Sequence, residues 1–255
     1  MNDEVMISLE NVSKTFSGRK ILDEVTLEVR RGETLVIIGR SGAGKSVTLK
    51  HIMGLMHPDS GRVKVIGTDI THFKPRQYYQ IRNHIGVLFQ GAALLNWMTV
   101  GENVALPLKE HTRMKPPEIL AKVREKLMIV ELSDAEHKYP SKISGGMAKR
   151  AGLARAIIRN PEIILYDEPT SGLDPVMSNT INDLINKIKE ELQTASIVVT
   201  HDMSSAYRIA DRIAMLYQGK IIQQGTPDEI RNTKNEYVRQ FIEGRTQGPL
   251  TDPIS

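Results

Sequence analysis

The sequence predicts an α/β fold in which a glycine-rich loop joins a buried strand to a helix, with an antiparallel β subdomain and an inserted α-helical subdomain. Three observations predict it. The apolar run Thr34–Ile38 leads directly into Gly39–Ser46, a segment with three glycines. Apolar residues alternate over residues 5–9, as they do in a half-buried strand. Between residues 91 and 160 the spacing of apolar residues changes to the period of a helix.

Composition limits the possible functions. The 255 residues include 34 basic and 30 acidic side chains, and the net charge of +4 is spread along the chain, which does not favour a nucleic-acid partner. The absence of cysteine excludes disulfides, thiolate metal sites and cysteine nucleophiles, and it fits a reducing cytoplasm. No apolar run approaches the roughly 20 residues of a membrane-spanning helix. The acidic start Met1–Glu4 argues against a signal or transit peptide.

The segment Gly39–Ser46 has the residue order of a phosphate-binding loop. Its glycines permit turns in which successive main-chain N–H groups point at one anion. A helix predicted from Lys45 to Gly54 would direct the positive end of its dipole at the same place. A chance match is the alternative, and the strand before the loop and the helix after it argue against that. The residues predicted to bind a nucleotide here are Gly39, Arg40, Ser41, Gly42, Ala43, Gly44, Lys45 and Ser46.

The residues around this loop predict mainly strands. Residues 5–12 and 25–29 predict an antiparallel hairpin, with residues 14–18 as the loop between them. Phe16 in that loop either packs on its own strand or offers a platform for an adenine ring. Further elements are expected as a turn at 58–61, a strand at 62–66, a helix at 75–83 that starts at its proline, and a strand at 84–90 that ends on Gln90.

The helical block from residue 91 to about 160 has several identifiable starts. Helices are expected to begin at 99–103 and at 116–118. The opening segment Ala92–Met98, with the single tryptophan, is equally compatible with core packing and with a partner-binding surface. Ser144 is suited to cap a helix whose first turn leaves N–H groups accessible beside Gly145 and Gly146. This helix start is a second potential phosphate site, and the helix that follows carries the basic residues Lys149, Arg150 and Arg155.

The run Pro161–Glu168 predicts a buried strand that ends in two carboxylates. Ligands of open α/β sheets lie beyond the carboxyl ends of strands. Asp167 is therefore a candidate to hold Mg²⁺ through water, and Glu168 to orient or deprotonate a water that attacks a phosphate. The alternative is an acid pair that caps the turn at Pro169.

The last third of the chain adds one more candidate site residue. A helix from about 175 to 192 leads to the buried strand 196–200, and His201 follows it. An isolated histidine is usually structural, but this one follows a core strand. We expect a hairpin from strands 212–217 and 220–225, a short helix from residue 235, and a mobile tail over residues 244–255.

Taken together, these motifs resemble those of the nucleotide-binding subunits of ABC transporters, whose core is a P-loop NTPase. The resemblance covers nearly the whole chain and rests on motif order. Gly39–Ser46 resembles the Walker A loop, Gln90 the Q-loop, Ser144–Gly146 the signature, Ile163–Glu168 Walker B, Ser171–Asp174 the D-loop and His201 the switch histidine, with Phe16 at the place of the adenine-stacking aromatic.

The resemblance implies an ATPase that works with Mg²⁺ and has partners. It implies Glu168, His201 and Gln90 as catalytic residues, and Ser46, Gln90 and Asp167 as Mg²⁺ ligands. ATP on one copy would be covered by Ser144, Gly145 and Gly146 of a second, with Asp174 also at the nucleotide, in a head-to-tail dimer bound to a membrane permease. The implied domains are a catalytic core at 1–90 and 161–230, a helical signature subdomain at 91–160, and a C-terminal helix and tail at 231–255.

The sequence departs from the usual signature at Ile143, where Leu is common, and at Met147, where Gln is common. The sequence resembles the Mla/Mce-type phospholipid transport ATPases in Ser-Gly-Gly-Met followed by Ala-Lys-Arg and in the segments Leu88–Leu95, Met98–Val100, Asn103–Leu108, Glu110–Thr112, Phe241–Gly244 and Gly248–Pro249. This implies a peripheral protein on the cytoplasmic side of the bacterial inner membrane, with further Mla/Mce-type subunits as partners. The alternatives are a coupling ATPase for a polar solute such as an amino acid, and a soluble cassette ATPase in DNA repair or translation.

Overall fold

The computed structural model describes residues 4–251. The predictions for Met1–Asp3 and for the last four residues of the tail therefore lie outside the described residues. The described chain forms two compact units: Phe73–Ser196, and the residues on either side of it, 4–72 and 197–251. The three domains predicted from the sequence follow a functional division instead, and they stay a prediction.

The described residues form ten strands and nine α-helices. In chain order the strands are β1 (Val5–Phe16), β2 (Arg19–Arg30), β3 (Thr34–Ile38), β4 (Ser60–Val65), β5 (Thr68–Asp69), β6 (Ile85–Leu88), β7 (Ile163–Asp167), β8 (Ala195–Thr200), β9 (Arg212–Tyr217) and β10 (Lys220–Gly225). The helices are α1 (Lys45–Ile52), α2 (Tyr78–Arg82), α3 (Val100–His111), α4 (Pro116–Ile129), α5 (Gly145–Ile157), α6 (Pro175–Leu192), α7 (Met203–Ile209), α8 (Pro227–Arg231) and α9 (Glu236–Glu243). Short 3₁₀ turns cover Ser133–Ala135 and Pro140–Lys142.

The unit formed by residues 4–72 and 197–251 contains the predicted antiparallel sheet, with strand order β2-β1-β4-β5. In β1 and β2, Leu9 lies opposite Leu27 and both are buried. A second layer of strands has the order β10-β9-β3-β8, in which β3 and β9 are parallel and β9 and β10 form the predicted hairpin. All five residues of β3 are fully buried, which gives the glycine-rich loop a rigid starting point.

The unit Phe73–Ser196 pairs β6 with β7 in parallel and surrounds them with helices. The predicted start of α3 is confirmed, because Thr99 caps it by accepting a hydrogen bond from the Glu102 amide. The start of α4 at Pro116 and the extent of α6 are also confirmed. Asn103 is fully buried in α3 and its side-chain amide donates to the carbonyl oxygens of Leu95, Met98 and Thr99. This amide fixes the segment that leads into the helical block.

Several predicted elements differ from the structure. The strand predicted at 84–90 covers only Ile85–Leu88, so Gln90 lies in the turn that follows it. The predicted helix at 75–83 is shorter, because residues 75–77 form a turn in which the Gln77 amide donates to the Lys74 carbonyl, and α2 begins only at Tyr78. The predicted loop at 14–18 is mostly strand, since Phe16 pairs with Arg19 and the turn is confined to two residues with positive φ, Ser17 and Gly18. Main-chain pairing across the hairpin therefore extends β1 beyond its apolar pattern.

The prediction of a mobile tail does not hold for residues 245–251, which fold back on α9. Gln240 is 3% exposed and organises them. Its amide nitrogen donates to the Arg245 carbonyl (3.3 Å) and the Thr251 hydroxyl (3.0 Å), and its oxygen accepts from the Leu250 amide (2.7 Å). Satisfying a buried amide on both sides ties the tail to the fold.

Candidate functional site

The glycine-rich loop passes from β3 into α1 through positions that require glycine. Gly39 has a φ of 152°, and a Cβ there would overlap the main-chain oxygen of Leu216. Gly44 has a φ of 107° and precedes α1, and its Cβ would come within 2.9 Å of the Ile21 oxygen. The backbone can approach its neighbours this closely only without side chains. The predicted helix from Lys45 is confirmed and ends at Ile52.

The electrostatics of this loop favour an anion. Gly44 provides no side-chain cap for α1, and the first turn of the helix has no acidic residue. The main-chain N–H groups at this end of the helix therefore present positive charge. Lys45 is 7% exposed, and its ammonium curls back over the loop to the carbonyl oxygens of Gly39 (2.7 Å) and Arg40 (3.3 Å). A single cation held at the loop in this way suits a phosphate-binding site.

The other loop residues differ in exposure and in contacts. Ser41 and Gly42 are exposed, whereas Ala43 and Ser46 are half-buried. The Arg40 guanidinium donates to the carbonyl oxygen of Leu250 at 2.6 Å. The sequence offered no signal for this contact, since the two residues lie 210 positions apart.

Phe16 and His201 belong to the same compact unit as the loop. Phe16 ends β1 with 40% of its surface exposed, and the Lys14 ammonium lies 5.7 Å from the ring centroid. An exposed ring fits the stacking interpretation better than packing on its own strand. His201 is exposed directly after β8, the neighbour of β3 in the sheet. Asp202 beside it caps α7 by accepting from the Ser204 amide.

Asp167 and Glu168 lie in the unit Phe73–Ser196, where β7 ends. Asp167 is the last residue of the strand, and Glu168 follows with a φ of 50°, a conformation that costs a non-glycine residue free energy. The chain then turns, with the Ser171 amide donating to the Glu168 carbonyl at 3.2 Å. Asp174 closes the turn by accepting from the amides of Val176 and Met177, which caps α6.

The predicted signature starts α5. The Ser144 hydroxyl accepts from the Met147 amide at 3.3 Å, so the predicted N-cap is confirmed. Ser144 and Gly145 are exposed, whereas Gly146 is buried against the Met177 side chain. No acidic residue lies in the first turn of this helix. An exposed, uncompensated helix start can face an anion carried by another molecule.

The basic residues of α5 contact the main chain, so the potential phosphate site at the start of this helix depends on the N–H groups of its first turn. Each of them donates to main-chain carbonyl oxygens within the same unit. Arg150 contacts Glu131 at 2.7 Å, and Arg155 contacts Ala93 at 2.7 Å and Ala92 at 2.6 Å. Lys149 contacts the carbonyls of Gln90 and Glu168. Burial lowers the pKa of both Lys149 and Arg155.

The residues predicted to hold Mg²⁺ fit that ion by their chemistry. Ser46, Gln90 and Asp167 supply a hydroxyl, an amide oxygen and a carboxylate, which are hard oxygen donors. The Gln90 amide nitrogen donates to the Ser171 hydroxyl at 3.3 Å, which fits a role for its side-chain oxygen as a ligand. Over residues 4–251, no group of three or more His, Asp or Glu side chains could hold a metal by itself. Mg²⁺ in proteins is usually bound by one or two carboxylates together with substrate phosphates.

The chain is similar to known protein families and proteins. The family model described as "ABC transporter" matches residues 22–171. The probable ribonucleotide transport ATP-binding protein mkl of Mycobacterium leprae is 42% identical, over 96% of this chain and 71% of that protein. The intermembrane phospholipid transport system ATP-binding protein MlaF of Haemophilus influenzae is 38% identical, over 96% of this chain and 93% of that protein. The methionine import ATP-binding protein MetN 4 of Oceanobacillus iheyensis is 40% identical, over 98% of this chain and 73% of that protein.

The fold is also similar to solved structures. The ATP-binding cassette MJ0796, as a dimer in a post-hydrolysis state with ADP and Pi, superposes with a TM-score of 0.81 at 34% identity. The match covers 87% of this chain and 99% of that one. The predicted α/β fold with an antiparallel β part and a helical part is confirmed by this likeness.

Proposed function

The chain belongs to the ABC transporter family, and from that membership we propose that it hydrolyses ATP to drive phospholipid transport between bacterial membranes. The family establishes the coarser function, an ATP-binding subunit with ATPase activity that uses Mg²⁺. The lipid assignment is carried by one observation, the match to MlaF over 96% of this chain. Met147 in place of the usual signature glutamine, followed by Ala-Lys-Arg, supports the same assignment.

Nucleotide binding is assigned to the glycine-rich loop. Its main-chain N–H groups and Lys45 bind the β- and γ-phosphates, and Phe16 stacks on the adenine. Lys45 must leave the carbonyl oxygens of Gly39 and Arg40 to reach a phosphate, and a charged ligand is a stronger acceptor than either carbonyl. Ser46, Gln90 and Asp167 would hold Mg²⁺, which neutralises charge on the phosphates when bound.

Hydrolysis is assigned to Glu168 and His201. A water attacks the γ-phosphorus, the bond to the β–γ bridging oxygen breaks, and ADP leaves with that oxygen. Glu168 accepts the proton of the water, and His201 positions the γ-phosphate. The left-handed φ of Glu168 sets the direction in which its side chain leaves the backbone.

A second copy of the chain completes the site in this proposal. In each half of the dimer, the ATP bound to one copy is covered by Ser144, Gly145 and Gly146 of the other copy. Asp174, the cap of α6, also lies at the nucleotide in this proposal. The exposure of Ser144 and Gly145 and the lack of acidic residues at this helix start support the assignment. The cassette MJ0796, to which this chain is similar, is a dimer with nucleotide products bound.

A membrane permease is the second proposed partner. A groove of about 530 Å³ in the unit Phe73–Ser196 is lined by residues that include Phe89, Leu106, Pro107 and Arg155. One of its lining residues, Phe89, directly precedes Gln90 in the sequence. In this proposal the groove accepts a cytoplasmic helix of the permease. Trp97 is 73% exposed and belongs to the segment that the sequence left open between core packing and a partner-binding surface. No helix within residues 4–251 is long and apolar enough to cross a bilayer. The proposed location is peripheral, on the cytoplasmic side of the inner membrane.

The test is to identify the transported substrate directly. The chain would be isolated from solubilised membranes of its host, the co-purifying permease identified, and the complex reconstituted in vesicles. ATP-dependent movement of a fluorescent phospholipid between vesicle populations supports the proposal. ATP-dependent uptake of a radiolabelled amino acid, with no lipid movement, would instead support a polar-solute importer, as the methionine import relative suggests. Recovery with ribosomes or DNA and without a permease would favour the soluble ATPase.

A further inference from the structure

Lys149 lies inside α5 with 5% of its surface exposed, and it connects two segments that carry predicted site residues. Its ammonium donates to the main-chain oxygen of Gln90 and to the main-chain oxygen of Glu168, the latter at 3.1 Å. Both acceptors are carbonyls, so the contact acts on the path of the backbone and leaves the two side chains available for other interactions.

The contact closes a ring of hydrogen bonds. Gln90 donates from its side-chain nitrogen to the Ser171 hydroxyl (3.3 Å), and the Ser171 amide donates to the Glu168 carbonyl (3.2 Å). Lys149 then joins Glu168 back to Gln90. Each of the three partners is thus held from two sides. Such a ring defines the position of Gln90 relative to Glu168 with little freedom.

The backbone of Glu168 requires such support. A left-handed φ is unfavourable for a residue with a side chain, and it persists only where the surroundings determine it. The Glu168 carbonyl receives both the Ser171 amide and the Lys149 ammonium. A buried ammonium whose hydrogen bonds go to the main chains of two segments is a costly group to keep for packing alone.

We propose that Lys149 is a positioning residue for ATP hydrolysis, which fixes the backbone of Glu168 and links it to that of Gln90. The proposal rests on the proposed roles of those two residues. Movement of the Gln90 segment is then transmitted through one ammonium to the backbone that carries the proposed base. Nucleotide binding itself depends on the glycine-rich loop and not on Lys149.

The test compares three variants of the full chain, with ATPase kinetics and thermal unfolding measured on each. In Lys149→Met both hydrogen bonds are lost at similar side-chain length, and we expect kcat to fall roughly 10- to 100-fold. KM for ATP should change by less than about 3-fold, because the nucleotide contacts remain. Lys149→Arg retains a cation with several donors, and it should restore kcat to within roughly 5-fold of the unmodified chain.

Arg150→Met is the matched control. It removes another cation of α5 that donates to main-chain carbonyls, those of Val130 and Glu131, away from Glu168. It should lower the melting temperature and leave kcat within about 2-fold. If Lys149→Met does not fold, Lys149→Gln, which keeps one donor group, takes its place with a smaller expected loss of kcat.

The outcomes separate this proposal from the one on which it rests. If Glu168→Gln is inactive while Lys149→Met turns over ATP as fast as the unmodified chain, the positioning role is wrong and the base assignment stands. An equal loss of kcat in Lys149→Met and Arg150→Met would also overturn it, since any buried cation of the helix would then serve. If Glu168→Gln hydrolyses ATP at the normal rate, the base assignment itself fails.

Discussion

Replacing Gly39 by alanine should destabilise the nucleotide-free protein more than alanine at Gly42 or Gly91. The added Cβ would overlap the Leu216 carbonyl oxygen, which belongs to the rigid backbone of β9, and the φ of 152° is unfavourable for alanine. Overpacking costs about 1–3 kcal/mol and the backbone strain about 1–3 kcal/mol, so the total is roughly 2–6 kcal/mol. For a chain of this size, each kcal/mol lowers Tm by about 2–4 °C, which predicts a decrease of roughly 4–24 °C.

Two other glycines provide graded controls for the Gly39 prediction. Gly42 has a φ of 79° with open space around its Cβ position, so alanine there should cost only backbone strain, about 1–2 kcal/mol. Gly91 has open space and no positive φ, so alanine should change stability by less than about 0.5 kcal/mol. Differential scanning fluorimetry without nucleotide measures all three variants. The reasoning fails if Gly39→Ala melts at or above the temperature of Gly42→Ala.

Three further predictions concern nucleotide chemistry and the tail. Glu168→Gln should bind ATP with an affinity within about 3-fold of normal but lower kcat by roughly 10²- to 10⁴-fold, the usual contribution of a general base; calorimetry and phosphate release measure the two quantities, and normal turnover would contradict the assignment. Lys45→Ala should weaken ATP binding at least about 10-fold, since a charge-assisted contact with the phosphates is lost; unchanged affinity would argue against the phosphate loop. Gln240→Leu should speed hydrogen exchange of the Leu250 amide at least about 10-fold, because that amide loses its acceptor; an unchanged rate would show that other contacts hold the tail.

Most of the fold could be predicted from the sequence because its long elements carry their own signals. The strand β3 coincides with an apolar run of the sequence. The helix α6 begins at Pro175, directly after its cap Asp174. The helix α8 was not predicted, because five residues are too few for a period, although Thr226 and Glu229 form a capping box at its start. The helix α7 has seven residues and was missed for the same reason. Short helices depend on packing more than on their own sequence.

For the candidate site, the residues could be predicted from the sequence but their contacts could not. The motif order identified the candidate residues, because each motif is local in the sequence. The contacts that organise them are not local: Lys149 reaches Gln90 across 59 positions, and Arg40 reaches Leu250 across 210. The sequence also does not show that the cations of α5 donate to main-chain carbonyls, because composition shows a charge but not the direction in which its side chain points. In the sequence, a lysine that donates to main-chain carbonyls looks the same as a lysine that binds phosphate.

The parallel pairing of β3 with β9 has a consequence for how the protein is made. The Thr34 amide binds the Asp211 carboxylate, 177 positions later in the chain, at the start of this pairing. At a ribosomal rate of roughly 5–20 residues per second, β3 must wait about 9–35 seconds before its partner strand has been synthesised. The continuous segment Phe73–Ser196 is complete before then. The strand that leads into the glycine-rich loop therefore gains its β9 neighbour late in synthesis, and during this interval the apolar strand depends on local contacts or on chaperones for protection from aggregation.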